Sequence, residues 1–155
     1  MDELLNSSAV KLRQMIANRE ISARELLGCH LSHIQRLNPS VNAIVTLTAE
    51  AAEKRAMALD EMQASGQELG VLHGLPMAHK DLTMTKGIRT TFGSPIYAEH
   101  IPQRDELLIE RLKHAGLRGQ RDRIDNHAAL GPFDSIDLGG LRRNIKVLVD
   151  NANSA

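Results

Sequence analysis

Seven glycines and prolines (Gly70, Gly74, Pro76, Gly87, Gly93, Pro95 and Pro102) interrupt the chain between residues 67 and 104. Neither long helices nor long strands survive punctuation this dense, so this stretch is expected to consist of turns and short extended pieces. Pro76-Met77-Ala78-His79-Lys80 is the one brief apolar run within it, and it reads as a short buried strand with its charge at the end. Whatever regular architecture the chain has must lie mainly on either side.

Upstream, the pattern is helical. Ser7 or Ser8 is placed to cap a first helix with Val10, Leu12, Met15 and Ile16 on one side, ending near Asn18. Ser22 and Glu25 then form S-x-x-E, a capping box flanked by the staple pair Ile21 and Leu26. Leu27, Leu31 and Ile34 continue one face until Asn38-Pro39, where a stop is predicted. Residues 42–46 read as a short strand. A third helix from Thr48 to Gln63 is rich in Ala, Glu, Lys and Met and closes at Ser65-Gly66. Downstream, Asp105 is the predicted cap of a fourth helix carrying Leu107, Leu108, Ile109 and Leu112 to Ala115-Gly116.

After Gly116 the pattern breaks. Residues 117–128 hold Arg118, Arg121, Asp122, Arg123 and Asp125 and few apolar positions. Residues 145–149 read as a late strand, and the rest of the second half is predicted to be irregular.

Aromatic residues are 2% of the chain, so any core is aliphatic and base-stacking surface is scarce. Lys plus Arg and Asp plus Glu both number 19, which leaves no global basic field for a phosphate backbone. Nucleic acid is therefore not an expected partner. Cys29 is the only cysteine, so there is no internal disulfide and no cysteine metal site. No apolar stretch approaches membrane-spanning length, and MDELLNSSAV lacks the basic and apolar regions of a signal peptide. No membrane association is expected, and the predicted location is cytoplasmic.

Lys80 ends the apolar run. A lysine drawn out of water there has a lowered pKa and can act as a general base. The commoner reading of such a lysine is a surface residue or an ion-pair partner, here of Asp81. His30 and His33, three apart on a helix, match one metal-ligand spacing, but a half-buried and an exposed histidine account for them more simply. Cys29 reads as a small core residue, Arg142-Arg143 as a solvated pair, and no cofactor is expected.

The runs HGLPMAHKD (73–81) and TKGIRTTFGSP (85–95) resemble the segment around the catalytic lysine of the amidase-signature family. SARELLGCHLSHIQRLNPSVNAIV (22–45), the helix beginning at Ala51-Glu53 and the helix from Asp105 to Gly116 are similar to that family in the same order. The resemblance spans about residues 5–116. It implies an α/β fold: N-terminal helices plus a few short strands, a truncated part of the family's mixed sheet with an irregular C-terminal tail. It divides the chain into an amidase-signature segment, 1–116, and an unrelated or frameshifted tail, 117–155.

The resemblance also implies hydrolysis of a small-molecule amide to a carboxylate and ammonia or an amine by a Ser-Ser-Lys mechanism. Lys80 occupies the position of the family's general base. The family continues with an apolar strand and a Gly-Ser-Ser-Gly-Gly-Ser type loop that carries the bridging serine, and then the nucleophile. Here Gly139-Gly140 is followed by Leu141 and Arg142. Ser94, Ser135 and Ser154 do not fit the nucleophile's role, since Ser94 belongs to the TTFGS segment and Ser135 is flanked by acids. The isolated chain is thus expected to be inactive as an amidase. The alternative is a non-catalytic helical interaction module that self-associates through uncovered apolar helix faces.

Overall fold

A computed structural model describes residues 2–117 and 145–148. In chain order the elements are α1 (Asp2–Leu5), α2 (Ala9–Ala17), α3 (Ala23–Val41), β1 (Ile44–Leu47), α4 (Ala49–Ala64), β2 (Met77–Lys80), α5 (Leu107–Leu117) and β3 (Ile145–Leu148). Mixed helices with a few short strands are what the sequence pattern led one to expect.

Helix starts follow the local chemistry. The Ser8 hydroxyl accepts from the Lys11 amide at the head of α2. At α3 both halves of the capping box form: the Ser22 hydroxyl accepts from the Glu25 amide, and Glu25 accepts from the Ser22 amide at 2.8 Å. A long-range cap reinforces it. The Asp60 carboxylate, on α4, accepts from the amides of Ala23 at 2.7 Å and Arg24 at 3.3 Å and pairs with the Arg24 guanidinium at 3.2 Å. A negative charge at a helix N-terminus also favours the dipole.

The helix does not stop at Asn38-Pro39. α3 runs through Pro39 to Val41. In the last turn the missing proline donor removes one bond, a loss that a helix end tolerates far better than its middle. Asn42 then turns left-handed (φ 47°), and its amide caps Asn38 O. The Asn38 side chain clasps Ile44 from both sides, accepting from its amide and donating to its carbonyl, and so aims the chain into β1. β1 consequently begins two residues later than the sequence reading placed it.

Two aliphatic clusters hold the helices. Ala23, Leu27, Ala52, Ala56 and Leu59 are buried between α3 and α4, with Leu31 and Met62 packed against them. Three alanines there let the two helices approach closely. Leu12, Ile16 and Leu26 join α2 to α3, backed by Leu4, Ile21 and Leu75. The buried Gln63 side chain donates to Ile16 O at 2.5 Å, and Arg19 donates to Gln63 O. The exit of α2 is thereby tied to the end of α4.

The sheet includes the late strand expected at 145–149, as β3 (Ile145–Leu148), and the residues around it after Leu117 lie outside the described ones. β3, drawn from residues well beyond Gly116, occupies the middle of a three-stranded sheet ordered β1-β3-β2. It runs parallel to β1 and antiparallel to β2, with Lys80 opposite Ile145 and Met77 opposite Leu148. A four-residue strand, Ile-Lys-Val-Leu, is enough to pair two edges that would otherwise expose their backbone groups. The serines and glycines weighed at 135, 139, 140 and 154, and Arg142-Arg143, lie outside the described residues.

Gly74 joins the loop after α4 to the helical core. It has φ +76°, and a Cβ there would lie 3.0 Å from Ile16 Cδ1 and 3.2 Å from the Ala23 Cβ. Gly66 has φ +77° with open space around it. Gly66→Ala should therefore reveal the conformational penalty alone, about 1 kcal/mol. Gly74→Ala should lose that much plus an overpacking term of about 1 kcal/mol or more. Urea unfolding midpoints of the two variants test the difference, and equal losses would contradict the close approach.

Candidate active site around Lys80

β2 alternates. Met77 and His79 are half-buried, while Ala78 and Lys80 are exposed. The amine of Lys80 is thus not drawn out of water as the apolar run suggested. The run is short, and its Lys80 face is left open by the described residues. The Lys80 carbonyl accepts from the Thr83 amide at 3.0 Å, so the strand ends in a tight turn.

Asp81 is fully buried, with 0% exposure. Its carboxylate turns into the glycine loop rather than out along the strand. The Thr91 amide donates to both carboxylate oxygens, at 3.1 and 3.2 Å, and the Thr91 hydroxyl donates a short bond as well. The Asp81 carbonyl accepts from the Phe92 amide at 3.1 Å. Phe92 adopts φ 53°, uncommon for a bulky residue, directly after this contact.

The rest of the loop is braced from both sides. Arg89 donates to Ala98 O and to Val45 O, each at 3.2 Å. Val45 sits where the register of β1 against β3 is interrupted, so the guanidinium serves a carbonyl at the irregularity. The amides of Gly87 and Thr90 donate to the carbonyls of Pro102 and His100. Phe92, Tyr97 and His100 stack edge-on or tilted, with centroids 5.2–6.0 Å apart. Ser94 accepts from the Ile96 amide and starts a short 3-10 turn, Pro95–Tyr97, so its hydroxyl has a structural partner.

Asp105 does not cap α5. Its carboxylate accepts from the Lys86 amide at 2.8 Å and pairs with Lys113 at 2.6 Å, both side chains being largely buried. Glu106 takes the position just before α5 and exchanges bonds with Met84, carboxylate to amide and amide to carbonyl. Two adjacent acids thereby fasten residues 84–86 to the head of the helix. Sequence reading saw neither this brace nor the roles of Arg89, Thr91 and Lys113, because each partner lies at least eight residues away.

His73 opens the HGLP run and is 1% exposed. Neither ring nitrogen reaches a hydrogen-bond partner of normal geometry, though the Leu59 carbonyl is near enough to favour the charged form. Burial, and next the Arg13 guanidinium of α2, push its pKa below the ordinary 6.5. Arg55 of α4 acts in the same direction, and Asp60 opposes. His30 on α3 is lowered too, by burial and then by His33. His33 in turn is bonded to Arg36. Cys29 is half-buried on the same helix. Among the described residues no three His, Cys, Asp or Glu side chains gather as a metal site.

The family model described as Amidase matches residues 25–118. A glutamyl-tRNA(Gln) amidotransferase subunit from Acidothermus cellulolyticus is 39% identical over 117 residues, covering 76% of this chain and 23% of that protein. The protein of the same name from a Synechococcus strain is 42% identical over 104 residues, 67% of this chain and 21% of its own length. A solved structure described as an unexpected vestigial protein complex that reveals the evolutionary origins of an s-triazine catabolic enzyme superposes with a TM-score of 0.68. It is 34% identical and covers 72% of this chain and 24% of that one. The chain thus spans under a quarter of the length of the relatives it matches here.

A buried base with a depressed pKa stabilises the fold above its unfolded value and withdraws that support as protons bind. Stability should hold above about pH 6.5 and fall as pH drops through the folded-state pKa of His73. Urea midpoints measured from about pH 8 to about pH 5 should show this decline, and His73→Met should flatten it. An unchanged slope in the variant would remove His73 as the cause.

Proposed function

We propose, from the premise that this chain belongs to the amidase family, that it provides the lysine-bearing part of an amide-hydrolysing site. Lys80 would be the general base of that site. The observation that carries this reading is local. Lys80 ends β2 with its side chain exposed, beside a loop braced at Asp81, Arg89 and Asp105, and all four residues lie inside the matched segment.

The chemistry is that of an activated hydroxyl. A serine oxygen attacks the carbonyl carbon of a carboxamide while Lys80 takes the hydroxyl proton through a bridging serine. The C–N bond then breaks, and the proton goes to the departing nitrogen. Water releases the acyl group as a carboxylate. Two relatives are named as components of an amidotransferase. A primary carboxamide that yields ammonia is therefore the substrate class we favour. No cofactor takes part in this scheme. Gly139-Gly140 is followed by Leu141 and Arg142 rather than by serines, so on this reading the chain does not itself supply the attacking hydroxyl.

A second reading rests on exposed apolar residues near the same loop. Leu82, Ile96, Ile101, Leu107 and Leu108 are each about half exposed or more, Ile96 at 88%. These favour an interaction module that self-associates. Light scattering on the eluting chain distinguishes the two, since a monomer at all concentrations removes the second reading. No described helix is long and apolar enough to cross a membrane. With a single free cysteine, we place the protein in the cytoplasm.

The 155-residue chain should release no ammonia from aliphatic or aromatic amides above a Lys80→Ala control, and lysine-dependent release would overturn the division of labour proposed here. A graft of residues 5–116 onto the remainder of an amidase-family relative should hydrolyse amides. Lys80→Ala in that graft should lower kcat/KM by on the order of 10³-fold or more. Retained activity would remove Lys80 from the mechanism.

A further inference from the structure

We propose that Asp81 is the positioning residue for Lys80, acting through Thr91, and that this clamp decides which face of the sheet the lysine presents. The proposal rests on the reading of Lys80 as a proton acceptor.

Along β2 successive side chains point to opposite sides, which puts Lys80 on the face of Ala78. Asp81 is the first residue of the turn that follows, and a residue held firmly there fixes how the strand end is carried. Asp81 is held by both its side chain and its main chain. The Thr91 amide bridges both of its carboxylate oxygens, the Thr91 hydroxyl adds a third bond, and its carbonyl takes the Phe92 amide. A buried carboxyl that leaves such donors loses its hydrogen bonds, so rotating the strand end would leave a buried polar group unsatisfied. The turn bond from the Thr83 amide to the Lys80 carbonyl closes the other side. With Asp81 fixed inward at the turn, the end of β2 is held so that Lys80 stays on the open face that it shares with Ala78.

Thr91 is itself anchored. Its neighbour Thr90 donates to His100 O, and Arg89 reaches across to β1 and to Ala98. Support thus runs from β1 and the 98–100 segment, through Thr91, to Asp81 and on to the lysine. The Asp81 carboxylate faces the loop, so it acts on chemistry only by placing its neighbour.

The test uses the full 155-residue chain and needs no hydrolysis. Lysines are reductively methylated with ¹³C-formaldehyde, and the dimethylamine signal of Lys80 is assigned by Lys80→Arg. Asp81→Asn and Thr91→Val should each move the Lys80 signal while that of Lys86 stays in place, and Thr91→Ser, which keeps the hydroxyl, should leave both unmoved. Circular dichroism establishes that the variants fold, and if Asp81→Asn does not fold, Thr91→Val decides by the same criterion. A Lys80 signal that stays in place in folded Asp81→Asn or Thr91→Val overturns the proposal. An active Lys80→Ala graft alongside a clamp-dependent signal would count against the hydrolase reading alone.

Discussion

A carboxyl group sealed from solvent is among the more expensive groups a small domain can contain, and here one sits at the turn between a strand and a loop. Asp81 is tolerated because three hydrogen bonds from Thr91 converge on it. That requirement propagates outward. Thr91 must approach within hydrogen-bond distance, so the intervening residues must fold back on themselves. Gly87 (φ +75°) and Gly93 (φ +68°) supply left-handed positions, one within this excursion and one just past its end. Phe92 takes a third, at some conformational expense. The glycine-rich stretch is therefore not slack; Asp81 holds its middle while Arg89 and Asp105 brace its sides.

The helices supply the frame into which this loop is set. α2, α3 and α4 share two aliphatic clusters, and the segment that leads from them to β2 is fastened at successive points. Arg13 donates to Gly70 O, the Leu72 amide donates to Ala115 O, and Gly74 lies against Ile16 and Ala23. Gly70 also approaches the backbone of Ala115 and Gly116 so closely that a Cβ there would meet the Ala115 carbonyl oxygen. The run from His73 to Asp81 thus has mechanical content at several steps: a buried ring, a close approach, an exposed lysine and an anchored acid. Membership of the amidase family gives this frame a chemical meaning, since the segment matched by the family model contains the whole of that run.

What the sequence revealed depended on distance along the chain. The capping box at Ser22 and Glu25 was legible because both partners lie within one turn. The strand ending at Lys80 was legible because Pro76 and the apolar run mark it. Asp60, which caps α3 from 37 residues away, left no local sign. Asp105 looked like a helix cap because acids often are; its actual partners, the Lys86 amide and Lys113, were invisible without the fold. Pro39 misled in the opposite sense, because the rule that proline ends helices weakens in a final turn. Lys80 was placed on the right element but given too dry an environment, since an apolar run does not reveal which face of its strand is covered. The short strand at 145–148 was recognisable as an extended piece, yet nothing local announced that it belonged between β1 and β2.

That last placement bears on the order in which the molecule assembles. Contacts among α2, α3 and α4 join segments close along the chain and can form early. The pairing of Ile44 with Ile145 closes a loop of about a hundred residues, and that of Lys80 with Ile145 a loop of over sixty. Closure entropy grows with the logarithm of loop length, and topologies dominated by distant pairings fold slowly. The helical layer is accordingly expected to form first and the sheet last. Until β3 docks, the facing edges of β1 and β2 remain free to pair with any extended chain that meets them, so the interval before docking is when this polypeptide is most prone to aggregate.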